Sequence, residues 1–144
     1  MFQLLFERSA DAIWLFDPKA GVFVDCNSVA VALMRAGTKE KLLGSRPEEL
    51  SPLLQPDGTP SCEKSAQIVA LVEERGGYRF EWLGRRFDGD EVPLEVLSTP
   101  IEVGGRSLTV VVSRDITERK GTEEAIRKSE QVLRVAEAAT RPLS

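Results

Sequence analysis

The sequence predicts an α+β domain in which short helices cover one face of an antiparallel sheet. Three observations support this fold class: two strand-like segments open the chain, short helices punctuated by glycine follow, and three alternating segments come after them. The 144 residues suit one domain with a tail. A domain of this size buries roughly 70% of the surface of its unfolded chain, so we expect it to fold without a disulfide or a metal.

The chain opens with a predicted flanking helix and a predicted hairpin. Residues 2–8 place three apolar side chains on one helical stripe. Residues 12–16 form an aromatic-rich run that ends at a Pro/Gly turn, which is typical of a strand. Residues 22–26 are the expected return strand.

Short helices are predicted in the middle of the chain. Asn27 is a strong N-cap and Gly37 a strong C′ residue, so a helix is expected over residues 28–36. Proline at the first position favours another helix from Pro47. The three further predicted helices cover residues 38–43, 47–50 and 61–75.

The second half of the chain predicts three antiparallel strands joined by tight turns. Residues 78–82 and 91–101 alternate between apolar and polar side chains, and the Asp-Gly-Asp turn at residues 88–90 favours a hairpin between them. A closing β-branched strand is expected over residues 108–113. The positions expected on one face are Tyr78, Phe80, Trp82, Val92, Leu94 and Val96, continued by the polar Ser98.

The charge balance and the distribution of apolar residues exclude several classes of function. The chain has 23 acidic and 19 basic residues, for a formal charge of −4, whereas nucleic-acid binding needs a basic face. The longest apolar run covers only residues 29–34, far short of the ~20 residues that span a bilayer. No signal-peptide pattern opens the chain. We therefore expect a cytoplasmic domain with no nucleic-acid partner and no membrane insertion.

The chain contains no histidine. This excludes Ser-His and Cys-His nucleophiles, histidine general bases, and zinc or haem held by histidine. Cys26 and Cys62 are too far apart for a CxxC motif, and we expect two reduced thiols packed as small apolar groups. No catalytic residue and no metal ligand is assigned.

Three groups of residues resemble the PAS family of sensory modules, and the resemblance covers roughly residues 2–120. One group is similar to the family's central hairpin, and it consists of Trp82 with residues 85–96. The most distinctive group is similar to the exit motif, where the last strand passes into a signalling helix; it consists of Arg114, Asp115, Ile116 and Thr117, continued by residues 118–120. The remaining group is similar to the family's capped helix and its turns, and it consists of Asn27, Leu33, Gly37, Leu42, Gly44, Glu49, Leu50 and Pro52.

The resemblance implies a five-stranded antiparallel sheet with helices that enclose a cavity on one face. It divides the chain into a flanking helix (residues 1–10), a PAS domain (11–117) and a coiled-coil linker helix (118–144). Modules of this family convert a change in the cavity into movement of the exit helix, and they rarely catalyse reactions. We expect a homodimeric input module of a bacterial signalling protein such as a sensor histidine kinase, with a kinase or cyclase-type output domain downstream.

The family's cofactors can be compared with this sequence. Haem-binding members hold iron mostly through histidine, which this chain lacks. Flavin photosensors use the cysteine of a Gly-x-Asn-Cys-Arg-Phe-Leu-Gln stretch, but Cys26 precedes its asparagine and residues 43–46 carry no thiol. We expect no cofactor, and either a small organic ligand or none; flavin held without an adduct against Trp82 stays an alternative. The candidate cavity residues are Asn27, Phe80, Trp82, Leu94, Val96 and Ser98, with helix capping by Asn27 and core packing by Trp82 as alternative roles.

The C-terminal helix is expected to be the signalling helix of the domain. Thr117 is a good N-cap for it, and Gly121 weakens it by about 1 kcal/mol relative to alanine. Two heptads are too few for an independent coiled coil, which needs roughly three or four, so pairing is expected through a domain dimer or only in a longer parent protein. Residues 129–139 also resemble the first helix of a further PAS unit. The heptad positions are Ile126, Leu133 and Ala136.

Two other functions stay open. One is a ligand-free dimerisation or relay domain with a filled core. The other is a small cavity enzyme with a buried carboxylate as base, for which Asp17, Asp25 and Asp115 are the candidates near strand ends. A salt bridge with a basic neighbour is the simpler role for Asp115, because it belongs to the exit motif.

Overall fold

The computed structural model describes residues 6–140 and contains a five-stranded antiparallel sheet. Its strand order is β2-β1-β5-β4-β3, so the last strand lies beside the first. The predicted α+β class is confirmed. The strands are β1 (Ala12–Asp17), β2 (Val22–Cys26), β3 (Tyr78–Arg85), β4 (Glu91–Val103) and β5 (Arg106–Asp115).

Three α-helices accompany the sheet: α1 (Ser28–Met34), α2 (Ser61–Arg75) and α3 (Thr117–Thr140). The bounds of α2 are those predicted. The two short helices predicted before it are single 3₁₀ turns, Lys39–Lys41 and Pro47–Leu50. Segments this short, closed by loops on both sides, have room for i→i+3 hydrogen bonds but not for a full α-helix.

The two ends of the predicted organisation fall partly beyond the described residues. Of the flanking helix expected over residues 2–8, positions 6–8 are helical and positions 2–5 lie outside the described residues. Residues 141–144 of the predicted linker helix lie outside them as well. Phe6 is buried, and its carbonyl accepts a hydrogen bond of 2.8 Å from Asn27 Nδ2. The described part of the flanking helix is therefore tied to the domain.

The strand register places the core on the helix-covered face of the sheet. Trp14 lies opposite Val111, which in turn lies opposite Ser98, so these three positions form one row across β1, β5 and β4. Buried apolar side chains of this face and of α1 form one cluster, and three side chains of β4 form a second. The larger cluster contains Ala12, Trp14, Phe16, Phe23, Cys26, Ala30, Met34, Ala36, Leu42 and Leu50.

Helix α1 ends earlier than the sequence predicts. The expected end at residue 36 with Gly37 as C′ is wrong, because Arg35 already has the left-handed conformation, with φ 53°. A non-glycine residue pays roughly 1–2 kcal/mol for that conformation. The Arg35 side chain pairs with both Asp88 and Asp90 of the β3–β4 hairpin, at 2.8 Å from Asp90. This long-range pairing explains an early helix end that local patterns do not contain.

Candidate functional site

A cavity of about 370 Å³ lies between α2 and the inner face of the sheet. Helix α2 contributes Ile68 and Val72, which are buried. Most of the lining is aromatic or aliphatic, as expected of a small-molecule site. Five of the six predicted cavity residues line it: Phe80, Trp82, Leu94, Val96 and Ser98.

The sixth predicted cavity residue, Asn27, lies elsewhere. Its Oδ1 accepts hydrogen bonds from Ile13 N at 3.0 Å and from Ala30 N at 3.1 Å. Its Nδ2 donates to the carbonyls of Phe6, at 2.8 Å, and Asp11, at 3.0 Å. With its hydrogen-bonding capacity used by the backbone, Asn27 caps α1 and joins it to β1. The capping role is therefore confirmed, and Asn27 is absent from the residues that line the cavity.

Trp82 has its polar atom satisfied at the cavity wall. Its Nε1 donates to Ser51 Oγ at 2.8 Å, and Ser51 Oγ donates to the Pro47 carbonyl at 2.6 Å. Phe80 packs edge-on against the Trp82 ring, with ring centroids 6.3 Å apart. The aromatic wall of β3 is thus anchored to the turn that precedes α2.

Other polar groups of the wall have no protein partner. The Nε1 of Trp14 is buried, and no hydrogen-bond partner for it is found among residues 6–140. Leaving such a donor unpaired costs roughly 1–3 kcal/mol. The hydroxyls of Ser98, Thr109 and Ser113 also line the cavity from buried positions, and none has a partner within the described part of the chain.

The cavity carries almost no charge. Among the described lining residues only Glu73 is ionisable, and it is exposed near the end of α2. Arg106 precedes Ser107 at the mouth and pairs with Asp17 at 2.9 Å. Hydrogen bonding from the Ala20 N–H and then from Arg106 lowers the pKa of the Asp17 carboxyl. The guanidinium next to the mouth therefore already has a counterion.

The three carboxylates considered as catalytic bases are ion-paired and are not part of the lining. Asp17 pairs with Arg106, Asp25 with Lys39 at 2.5 Å, and Asp115 with Arg86 at 3.0 Å. A buried general base would need the opposite environment, in which burial raises its pKa. The geometry thus favours turn and salt-bridge roles for these groups.

Asp115 holds the start of α3. Its Oδ1 accepts hydrogen bonds from the Thr117 amide at 2.9 Å and from the Thr117 hydroxyl at 2.5 Å. The Ile116 carbonyl accepts the amide hydrogen bond of Lys120, so Ile116 occupies the N-cap position and Thr117 is the first helical residue. The prediction of Thr117 as N-cap is therefore one residue off, because the preceding carboxylate does the capping.

The other exit-motif residues fix the end of β5. Ile116 is 4% exposed, and its amide donates to the Pro93 carbonyl at 3.0 Å. Arg114 pairs with Asp11 at 3.3 Å, which ties β5 to the segment before β1. Partial burial raises the pKa of Asp115, but hydrogen bonds from Thr117 and the charge of Arg86 outweigh it and hold the pKa below its ordinary value.

The outer face of the sheet holds α3 through residues that the sequence did not single out. Glu81 and Glu95 are cross-strand partners on β3 and β4. Arg119 contacts Glu95 at 2.9 Å and Glu81 at 3.3 Å, and Lys120 contacts Glu81 at 2.6 Å. The adjacent cations Arg119 and Lys120 were the available signal, but only the strand register shows that the two acids share one patch.

The linker positions lie on the part of α3 beyond this patch. Ile126 is 54% exposed and Leu133 is 61% exposed, and Ala136 lies on the same exposed stretch of helix. The helix runs without interruption through Gly121. No helix within residues 6–140 has the length and apolar composition to cross a membrane.

Comparison with known proteins agrees with this architecture. The PAS domain family matches residues 10–118 of the chain. The chain belongs to the PAS family. A solved PAS domain, from an HTR-like protein of Haloarcula marismortui, has a TM-score of 0.67 at 23% identity and covers 80% of this chain and 88% of that one.

Two curated PAS-containing relatives are signalling proteins. One is a methyl sulfide methyltransferase-associated sensor of Methanosarcina acetivorans, 32% identical over 127 residues. The other is sporulation kinase A of Bacillus subtilis, 30% identical over 132 residues. The matches cover 88% and 91% of this chain but only 12% and 21% of those proteins. The chain therefore corresponds to one module of much longer relatives.

Proposed function

We propose that this PAS domain is the sensory input module of a signal-transduction protein and that it relays the state of its cavity to α3. The proposal rests on one observation: β3 and β4 contribute side chains both to the cavity and to the contact with α3. Their inward side chains, such as Trp82 and Leu94, line the cavity. The intervening outward side chains, Glu81 and Glu95, hold Arg119 and Lys120 of α3. Because side chains alternate along a strand, a displacement of these strands by a ligand moves the anchor of the helix.

The same proposal includes an output domain, a homodimeric partner and a ligand. The relatives named as a sensor and as a kinase support an input role, with a histidine kinase or comparable output domain following α3. A homodimer would give the exposed apolar positions of α3 a partner helix. We propose a small organic molecule as the cavity ligand, without haem because the chain lacks histidine, and without a flavin adduct because residues 43–46 carry no thiol.

The relay can be tested by filling the cavity. Val72→Phe adds volume to the cavity from α2, and we expect it to change hydrogen exchange of the amides in residues 117–123. Ala70→Phe places the same side chain at an exposed position of the same helix and is expected to leave that exchange unchanged. Equal exchange in both variants, with the fold intact by circular dichroism, would contradict the relay.

A second candidate function is dimerisation and relay without any ligand. The exposed side chains of α3 favour it, since Ile126, Val132, Leu133 and Val135 are all more than half exposed. Native mass spectrometry of freshly purified protein separates the two candidates. A retained small mass supports the sensor, whereas an empty domain that still dimerises through α3 supports the relay.

A further inference from the structure

The polar groups of the cavity wall form one cluster around Val111. Trp14 of β1 and Ser98 of β4 lie on either side of Val111 in the same cross-strand row. Thr109 and Ser113 lie two residues before and after it on β5, on the same face. Each of these four residues is buried and lines the cavity. Within the described residues, neither the Trp14 N–H nor the three hydroxyls has a protein partner.

The rest of the wall is suited to a flat apolar ring. Phe80 and Trp82 present aromatic side chains from β3, and Trp14 presents a third from β1. Aromatic faces and edges pack well against another ring. A volume of about 370 Å³ lies near the lower end of the roughly 300–1,000 Å³ range of small-molecule sites, which suits a compound of one or two rings.

The wall offers nothing to balance a negative charge. No lysine or arginine belongs to the described lining, and Arg106 beside the mouth is already paired with Asp17. The single charged lining residue, Glu73, is itself an anion. An ionised carboxylate placed in an apolar cavity without a cation loses its hydration and gains no counterion.

We infer that the cavity binds an uncharged, largely apolar ring compound whose hydrogen-bonding groups meet the cluster around Val111, and that it rejects carboxylates and phosphates. The hydroxyls of the cluster can both donate and accept. A ligand that carries an acceptor, such as an amide or ring carbonyl, can therefore pair with them. This inference rests on the proposed function, because it names the ligand class of the sensory cavity.

The test uses the whole chain and three probes of similar shape: benzamide, benzoate and toluene. Trp14 and Trp82 are the two tryptophans of the chain, and both line the cavity, so tryptophan fluorescence reports binding directly. In high salt, which screens the net charge of −4, we expect benzamide to bind about tenfold or more tightly than benzoate.

Variants test the polar cluster itself. Ser98→Ala combined with Thr109→Val is expected to weaken benzamide about fivefold or more, because two hydrogen-bonding groups are lost. Toluene cannot use those groups, so its affinity stays unchanged. Thr99→Val removes an exposed hydroxyl of β4 whose residue is absent from the cavity lining, and it is the matched control, expected to leave both affinities unchanged.

The outcomes separate this inference from the proposed function. Benzoate binding as tightly as benzamide, or benzamide affinity unaffected by the double variant, would overturn the ligand class and leave the relay to α3 standing. Absence of binding by all three probes up to their solubility limits would overturn the inference as well. Benzamide binding together with a failed Val72→Phe exchange experiment would keep the binding site and remove the relay.

Discussion

Arg86 and Asp115 form an ion pair with a nitrogen–oxygen distance of 3.0 Å that crosses from the β3–β4 hairpin to the end of β5. Arg86 Nε also donates to the Leu33 carbonyl of α1 at 2.8 Å. The second carboxylate oxygen of Asp115 meanwhile accepts from Thr117. One guanidinium and one carboxylate therefore join α1, the hairpin and the first turn of α3.

Removing the Asp115 carboxylate is expected to loosen α3 at its start. Asp115→Ala loses a helix-capping acceptor and an ion pair, which together cost about 1–2 kcal/mol of unfolding free energy. Urea unfolding measures that loss, and hydrogen exchange should rise at the amides of residues 117–120. Asp57→Ala is the control, because Asp57 also accepts a backbone N–H and pairs with a lysine, Lys64, but lies far from α3 in the loop before α2. A comparable stability loss without faster exchange at residues 117–120 would contradict the capping role.

The outer-face acids are expected to position α3 with little effect on global stability. Arg119→Ala removes exposed ion pairs, which contribute little to global stability, yet it should increase hydrogen exchange over residues 117–124. Arg79→Ala removes another arginine from Glu95, at 3.4 Å, without touching the helix, and should leave that exchange unchanged. If both alanine variants behave alike, the contact between sheet and helix does not position α3.

The Asp115 contribution should depend on pH with a defined sign. Partial burial opposes the shift, but hydrogen bonds from Thr117 and the charge of Arg86 lower the pKa of the folded state. The unfolded carboxyl titrates near 3.9, so the contribution is fully present above that pH and is lost as the pH falls through the lower folded value. The stability difference between the native chain and Asp115→Asn should be constant from about pH 5 to 8 and should shrink below about pH 4. A difference that grows on acidification would contradict this linkage.

The two cysteines are expected to react very differently. Burial raises the pKa of the Cys26 thiol to about 11. Cys62 is exposed at the start of α2, so the prediction that both thiols are packed is wrong for Cys62. Since the thiolate is the reactive form, a thiol reagent at pH 8 should label one site quickly in the folded chain and two in denaturant. Cys62→Ser should abolish the fast phase. Rapid labelling of Cys26 in the folded state would show that the segment around α1 opens readily.

Helix α3 is expected to strengthen self-association of the chain. Truncation after Lys120 removes the exposed positions Ile126 and Leu133 and should lower the mass measured by light scattering towards that of the monomer. Ile126→Glu with Leu133→Glu in the full chain should act in the same direction, whereas Arg127→Glu, at another exposed position of α3, should have a smaller effect. The same number of subunits in all four proteins would count against a role of α3 in dimerisation.

Local sequence patterns predicted most of the fold. The glycine pair after Arg75 and the Asp-Gly-Asp turn at residues 88–90 each mark an element boundary through their own backbone preferences, and both boundaries agree with the structure. The early end of α1 at Arg35 was missed because its cause, the pairing with Asp88, lies more than fifty residues away in the chain. Secondary-structure propensity depends on residues that are close in sequence. It therefore cannot predict the effect of an ion pair with a residue that is distant in sequence.

The site was predictable on one face of the sheet and not on the other. The alternation that placed Phe80 and Trp82 together needs no tertiary information, because period-two patterning fixes which side chains share a face. The pairing of Glu81 with Glu95 depends on the register between β3 and β4, and the docking of Arg119 depends on where α3 leaves the sheet. Asn27 was assigned to the cavity because a buried amide suits either capping or ligand binding, and only the four backbone partners decide between them.

Because α3 is long, a small displacement at its first turn produces a larger displacement at its far end. With 24 residues and a rise of 1.5 Å per residue, the helix is about 36 Å long. Arg119 lies about 6 Å along the axis from Asp115, so a sideways shift of about 0.5 Å there tilts the rod by about 5°. The far end then swings by about 3 Å. In the proposed relay, a sub-ångström shift of the sheet is thus amplified about sixfold at the far end of α3.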